Sequence, residues 1–201
     1  MKILFTGFDP FGGEKTNPAE EAVFRLPDMI GDTEIIKLEL PTVFGRAGEI
    51  LESAIEKCHP DAVVCVGQAG GRSAITPEAI AINMMSATIP DNDGQLKTHE
   101  YITVGGNEAY FSTLPILEIK EKLNECGIPS TISYHAGTFV CNYVMYTLLR
   151  LIETKYPNMR GGFVHVPYST EQAKAKTTPV PSMEIATMTH ALELIAETIA
   201  K

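Results

Sequence analysis

Apolar runs of strand length alternate with amphipathic segments of about ten to eighteen residues along nearly the whole chain, and this alternation limits the possible folds more than any other feature. Lys2-Ile-Leu-Phe-Thr-Gly7, Glu34 to Leu40, Asp61 to Gly67, Thr131 to Ala136 and Gly162 to Val166 read as strands. Helical periodicity runs from Asn17 to Leu26, Gly45 to Cys58, Leu114 to Cys126, Phe139 to Tyr156 and Ser182 to Ala200. Asn17-Pro-Ala-Glu20 supplies an N-cap, a proline at the first helical position and a glutamate three residues after the cap. His59-Pro60 stops the second helix, and Gly127 with Pro129 stops the third. Pro77 to Asn83 alternates like a strand, Ile89 to Gly94 reads as a turn, and His99 to Val104 as a further short strand.

Strands interleaved with helices predict an α/β fold: a three-layer α/β/α sandwich on a largely parallel (mixed) central sheet with right-handed crossovers. Ligands of such folds bind at the carboxyl ends of the strands. Phe8 to Gly13, Gly67 to Arg72, His135 to Cys141 and His165 to Tyr168 all fall there. The chain has 201 residues, 44% of them hydrophobic and 20% charged, which suits a single domain spanning 1–201. Its net charge of -9, with scattered lysines and arginines, disfavours nucleic-acid and membrane partners. No run approaches the roughly 20 apolar residues of a membrane span, so a cytoplasmic location is expected. Cys58, Cys65, Cys126 and Cys141 form no C-x-x-C pair and no zinc spacing, so reduced thiols are expected, without a metal or a disulfide. Gly67-Gln-Ala-Gly-Gly-Arg72 fits neither common phosphate-loop pattern, and no cofactor is expected.

Cys141 is the candidate nucleophile, because it lies where a strand-like run turns through Gly137-Thr138 into a long helix. Free backbone N–H groups and the helix dipole favour a thiolate there. His165, opposite in facing to Val164 and Val166, is the candidate base, with His135 competing from the same turn as the thiol. Glu78 is the only carboxylate between Ala74 and Ala87; it either orients a histidine or is an edge residue in water. Phe8 and Phe11, on a Gly/Pro-rich loop, line a pocket or anchor the core. Cys58, Cys65, Cys126, His59, His99 and His190 read as structural or surface residues.

Together, Thr6-Gly-Phe-Asp-Pro-Phe-Gly-Gly13, Asn17-Pro18, Gly67 to Arg72, Glu78 to Asn83, Ile89 to Gly94, Ala136 to Tyr143 and His165-Val-Pro-Tyr168 resemble the pyrrolidone-carboxylate peptidases, or pyroglutamyl-peptidases I, a family of cysteine peptidases. The resemblance covers nearly the whole chain. It implies an α/β/α sandwich, a cytoplasmic enzyme and a homotetramer acting on N-terminally pyroglutamylated peptides. It also implies Cys141 as nucleophile, His165 as base and then acid, Glu78 as the residue orienting it, Phe8, Phe11 and Gln68 at the lactam, and Asn17 as a loop support. Where the family usually reads Ala-Arg-Ile-Pro-Asp-Asn, this chain has Thr88 between Ala87 and Ile89. The arginine assigned near the oxyanion is thus missing, Arg72 or a water would have to replace it, and a slower peptidase is expected. A binding module that holds a cyclic amide without turnover is one rival reading; a nucleoside-phosphorylase-like transferase, suggested by architecture alone, is another.

Overall fold

Strand β1 (Lys2–Phe8) is buried along all but its first residue, as expected of an inner strand. The computed structural model describes all 201 residues. After β1 come α1 (Pro18–Phe24), β2 (Met29–Ile30), β3 (Thr33–Leu40), α2 (Arg46–Cys58), β4 (Ala62–Gln68), β5 (Thr76–Pro77), β6 (Ile80–Ile82) and β7 (Ala109–Phe111). Then follow α3 (Ile116–Glu125), α4 (Val140–Thr154), β8 (Arg160–Val166), β9 (Tyr168–Ser169), α5 (Thr170–Lys174), β10 (Ser182–Met183) and α6 (Ile185–Ile199). The main sheet has the order β2-β3-β1-β4-β8-β5. Strands β3, β1, β4 and β8 run parallel, and the two short edges β2 and β5 are antiparallel.

Side chains alternate across this sheet and divide the core in two. Ile3, Phe5, Val64, Val66, Val164 and Val166 pack towards α1, α3 and α6. Leu4, Val63, Cys65 and Phe163 pack towards α2 and α4. Each fully buried large side chain of this kind contributes about 1.5–3 kcal/mol relative to exposure. The three-layer sandwich predicted from the alternation is therefore the observed fold. No helix is long and apolar enough to cross a membrane.

Several local expectations change. Thr131 to Ala136 is not a strand; it makes one isolated bridge, Ser133 with Glu78, and Ser130 just before it makes another with Ile75. A parallel ladder begins there, with Thr131 N–H donating to the Ile75 carbonyl and Ser133 N–H to that of Pro77. Pro77 has no N–H to return, so the ladder is interrupted at Thr131. Pro77 to Asn83 divides into β5 on the main sheet and β6, which pairs with β7 in a separate two-stranded sheet. His99 to Val104 forms no strand: Glu100 alone bridges to Met85, and His99 adopts a left-handed φ of 52°. The final helix begins at Ile185, because Ser182 and Met183 pair with β9.

Candidate active site

Cys141 is the second residue of α4, preceded by Phe139 at the N-cap in an extended conformation. The chain reaches this point through Gly137, whose φ of 82° is one that residues with a Cβ rarely adopt. Asn142 fixes the first turn of α4 against β6: its amide donates to the carbonyls of Ile82 and Met84 and accepts from the Ile82 N–H. The Cys141 N–H belongs to the first turn of a helix, where backbone donors have no partner within the helix.

His165 lies on β8, in register with Gly67 of β4 on one side and Thr76 of β5 on the other. The strand alternation puts its ring on the α4 side of the sheet, tilted against Phe163 with centroids 4.8 Å apart. Nδ1 of His165 is 2.7 Å from Oε1 of Glu78. Nε2 is thereby left for proton exchange. Glu78 is fully buried in the gap between β5 and β6, and its N–H donates to the Phe163 carbonyl. The break in the edge strand thus carries the carboxylate to the histidine.

Arg72 completes the cluster. Its Nη1 is 2.6 Å from the same Oε1 of Glu78 and 2.6 Å from the Thr76 hydroxyl, and Nη2 donates to the His135 carbonyl at 3.3 Å. Arg72 is therefore committed to Glu78, and the expectation that it replaces an oxyanion arginine is corrected. His135 accepts the Gly137 N–H on its own Nδ1 and remains exposed, so it serves the turn.

Burial alone would raise the Glu78 carboxyl, but the hydrogen bond and charge of His165, helped by Ser133 and Arg72, outweigh it and hold the group below the usual carboxylate range. Burial lowers the His165 ring below its ordinary value, with Arg72 adding to the effect against the pull of Glu78. Burial, then the charge of Glu78, pushes the Cys141 thiol up to about 12. The helix start was expected to favour a thiolate; desolvation and the Glu78 charge work against it and favour the thiol.

Cys141 and His165 open into one cleft of about 460 Å³. Its apolar walls come from Phe11, Ile89, Ala136 and Phe139, with the Phe11 and Phe139 rings tilted against each other at 6.1 Å between centroids. Gln68 lines it too, and its Oε1 accepts from Gln172 at 3.0 Å. Phe8 departs from expectation: it is only 2% exposed and packs on Phe163 at 6.1 Å, so it backs the wall instead of lining the cleft. Asn17 is buried; its Oδ1 caps α1 through the Ala19 N–H, and its Nδ2 donates to the Asp9 carbonyl. It thus ties the Phe11 loop to the helix. Thr88 is exposed beside Ile89. Sequence reasoning missed Ile89, Phe139, Tyr168, and the ion pair of Lys176 with Glu14 at the cleft's mouth. For Phe139 a signal existed, since it immediately precedes the helix that carries Cys141.

Comparison with known proteins finds relatives along the whole chain. The family model for pyroglutamyl peptidase matches residues 1–201. A pyrrolidone-carboxylate peptidase of Enterococcus faecalis is 51% identical over 201 residues, covering 100% of this chain and 94% of that protein. One from Thermosipho africanus is also 51% identical, with coverage of 100% and 98%. The crystal structure of pyroglutamyl peptidase I from Bacillus amyloliquefaciens superposes with a TM-score of 0.96 at 47% identity, covering 99% of this chain and 94% of that one. A match across the whole length, at this identity and with this fold, leads to one conclusion: the chain belongs to the pyroglutamyl peptidase family.

Proposed function

We propose that this protein hydrolyses the bond after an N-terminal pyroglutamyl residue, with Cys141 as nucleophile, His165 as general base and acid, and Glu78 orienting the ring. The observation that carries the reading is the 2.7 Å contact between His165 and a fully buried Glu78, made beside a thiol in an aromatic-walled cleft. A lactam has no amino-terminal charge, so flat apolar walls and a few amide partners suit it better than a carboxylate. Phe11, Phe139 and Gln68 provide them.

Nε2 of His165 takes the thiol proton as Sγ bonds to the pyroglutamyl carbonyl carbon. The resulting oxyanion meets the Cys141 N–H at the start of α4. Collapse breaks the C–N bond, and the imidazolium gives its proton to the departing amine. A thioester remains, and water activated by the neutral ring hydrolyses it to free pyroglutamate and thiol. Four unpaired thiols suit a reducing, cytoplasmic setting. Exposed Val104, Phe111 and Leu117 offer apolar surface for the homotetramer, which light scattering tests directly.

The activity is tested on pyroglutamyl and prolyl amides of a fluorogenic amine. Wild type is expected to cleave the first and not the second, and Cys141→Ser neither. Comparable cleavage of the prolyl amide would sink the lactam assignment. Binding of the pyroglutamyl amide with no release of amine, not even a burst, would favour the binding module.

A further inference from the structure

Arg72 touches neither the cleft nor the thiol, yet it shares one carboxylate oxygen with the histidine. Its Nη1 and the Nδ1 of His165 lie 2.6 and 2.7 Å from Oε1 of Glu78. The guanidinium is not free to wander. The Thr76 hydroxyl and the His135 carbonyl hold it, and Thr76 is the residue paired with His165 across the sheet. Glu78 cannot turn to solvent, because it is fully buried.

We propose that Arg72 is a positioning residue that sets the basicity of His165, by fixing the Glu78 carboxylate and competing with the ring for its charge. The inference rests on the reading of His165 as proton carrier. That ring must take a proton from the thiol and then release it to the leaving amine. An undivided Glu78 carboxylate would hold the imidazolium too tightly for the second transfer. A guanidinium on the same oxygen opposes the imidazolium charge and weakens that hold. The charged and titratable groups around the ring are Glu78 from the edge-strand break, Arg72 from the loop after β4, and Cys141 at the start of α4. Cys65 on β4 acts on Cys141.

Two measurements test the proposal. The first is the pH profile of kcat/KM on a pyroglutamyl amide. Arg72→Gln should move the acid limb up by about one pH unit and lower kcat by about tenfold. Arg72→Lys, which keeps the charge but not the forked geometry, should restore the position of the limb more fully than kcat. A smaller upward shift is expected for Thr76→Val, which removes one anchor of the guanidinium and serves if Arg72→Gln does not fold. The second is the titration of His165 by nuclear magnetic resonance in a Cys141→Ser background, which requires no turnover.

An upward shift of the ring's titration in Arg72→Gln or Thr76→Val supports the inference. A loss of rate with the limb and the ring's titration unmoved overturns it, since a merely structural arginine behaves that way. Wild-type protein without pyroglutamyl turnover, but with the shifted titration, would instead overturn the functional reading and leave the electrostatic relation standing.

Discussion

Gly67 faces the sulfur of Cys141 so closely that a Cβ on the glycine would lie 3.0 Å from Sγ and 2.7 Å from the Phe163 ring. The site therefore requires a bare backbone at the end of β4, where the motif places its first glycine. Gly67→Ala should displace both neighbours. Overpacking of this kind costs about 1–3 kcal/mol. Phe163 also supports the His165 ring. Thermal unfolding should show the cost, and kcat/KM should fall by about a hundredfold, since small misplacements at a reacting centre are that expensive. A variant with unchanged kcat/KM would mean that the thiol has room to move.

Cys141 should react as a thiol at neutral pH, because burial and then Glu78 push its titration up to about 12. Thiolate ultraviolet absorbance attributable to Cys141 should be absent in the resting enzyme near neutrality. The activity profile then depends on the ring. As pH falls through the His165 value, which lies below the ordinary 6.5, imidazole gains a proton and loses its ability to accept one from the thiol. Activity should therefore persist below pH 6.5 and fail at more acid pH. An acid limb above 6.5 would contradict the neutral resting pair.

Asn17 joins the stability of α1 to the shape of the cleft, since one amide caps the helix and holds the Asp9 carbonyl. Asn17→Ala should lose about 1 kcal/mol from the cap. It should also release the loop that carries Phe11, so KM for a pyroglutamyl amide should rise more than kcat falls. Asn17→Asp keeps the cap acceptor but loses the donor to Asp9, and should separate the two effects. Equal KM values in both variants and wild type would show that the loop is held by other contacts.

The layers of the fold were legible because strand and helix periods differ, and β1, β3, β4, α2 and α4 announce themselves in that way. Glu78 was legible for a different reason: a lone carboxylate in an apolar stretch needs a partner. The bond that satisfies it was not, because His165 lies 87 residues away and comes into reach only through sheet register. Arg72 was hidden for the same reason, its role depending on where the edge strand breaks. Phe8 misled because an aromatic ring at a strand end suits a wall and a core equally well. Thr131 to Ala136 misled because its side chains have strand character while its partner, Pro77, lacks the N–H that would complete the ladder.

Glu20 links stability to pH at the other end of the Asn17 cap. Burial first, then the hydrogen bond and charge of Glu39, raise its carboxyl to about 7. A carboxyl raised in the folded state stabilises when protonated, and that stability is lost as pH rises from the ordinary 4.5 through about 7. Glu78, held low, works in the opposite direction and weakens the fold only in acid. Glu20→Gln should therefore raise the unfolding temperature above neutral pH, by about 2 °C once exposure is taken into account, and change it little near pH 4.5. A gain of the same size at both pH values would remove the raised Glu20 carboxyl from the explanation.

Thr88 is the position where this chain departs from the sequence that its family resemblance leads one to expect. The side chain is exposed, and the next residue, Ile89, forms part of the cleft wall. With Arg72 committed to Glu78, no arginine lines the cleft. On the proposed mechanism, the Cys141 N–H is then the principal backbone donor for the oxyanion. Loss of one such donor costs about 10²–10³ in rate. Thr88→Arg should recover part of that, raising kcat on a pyroglutamyl amide by about tenfold while leaving KM within a small factor, because the added charge meets the oxyanion and not the ground-state lactam. Thr88→Gln, which offers a donor without the charge, should give a smaller gain. If kcat is unchanged in Thr88→Arg, the cleft already stabilises the oxyanion fully without an arginine.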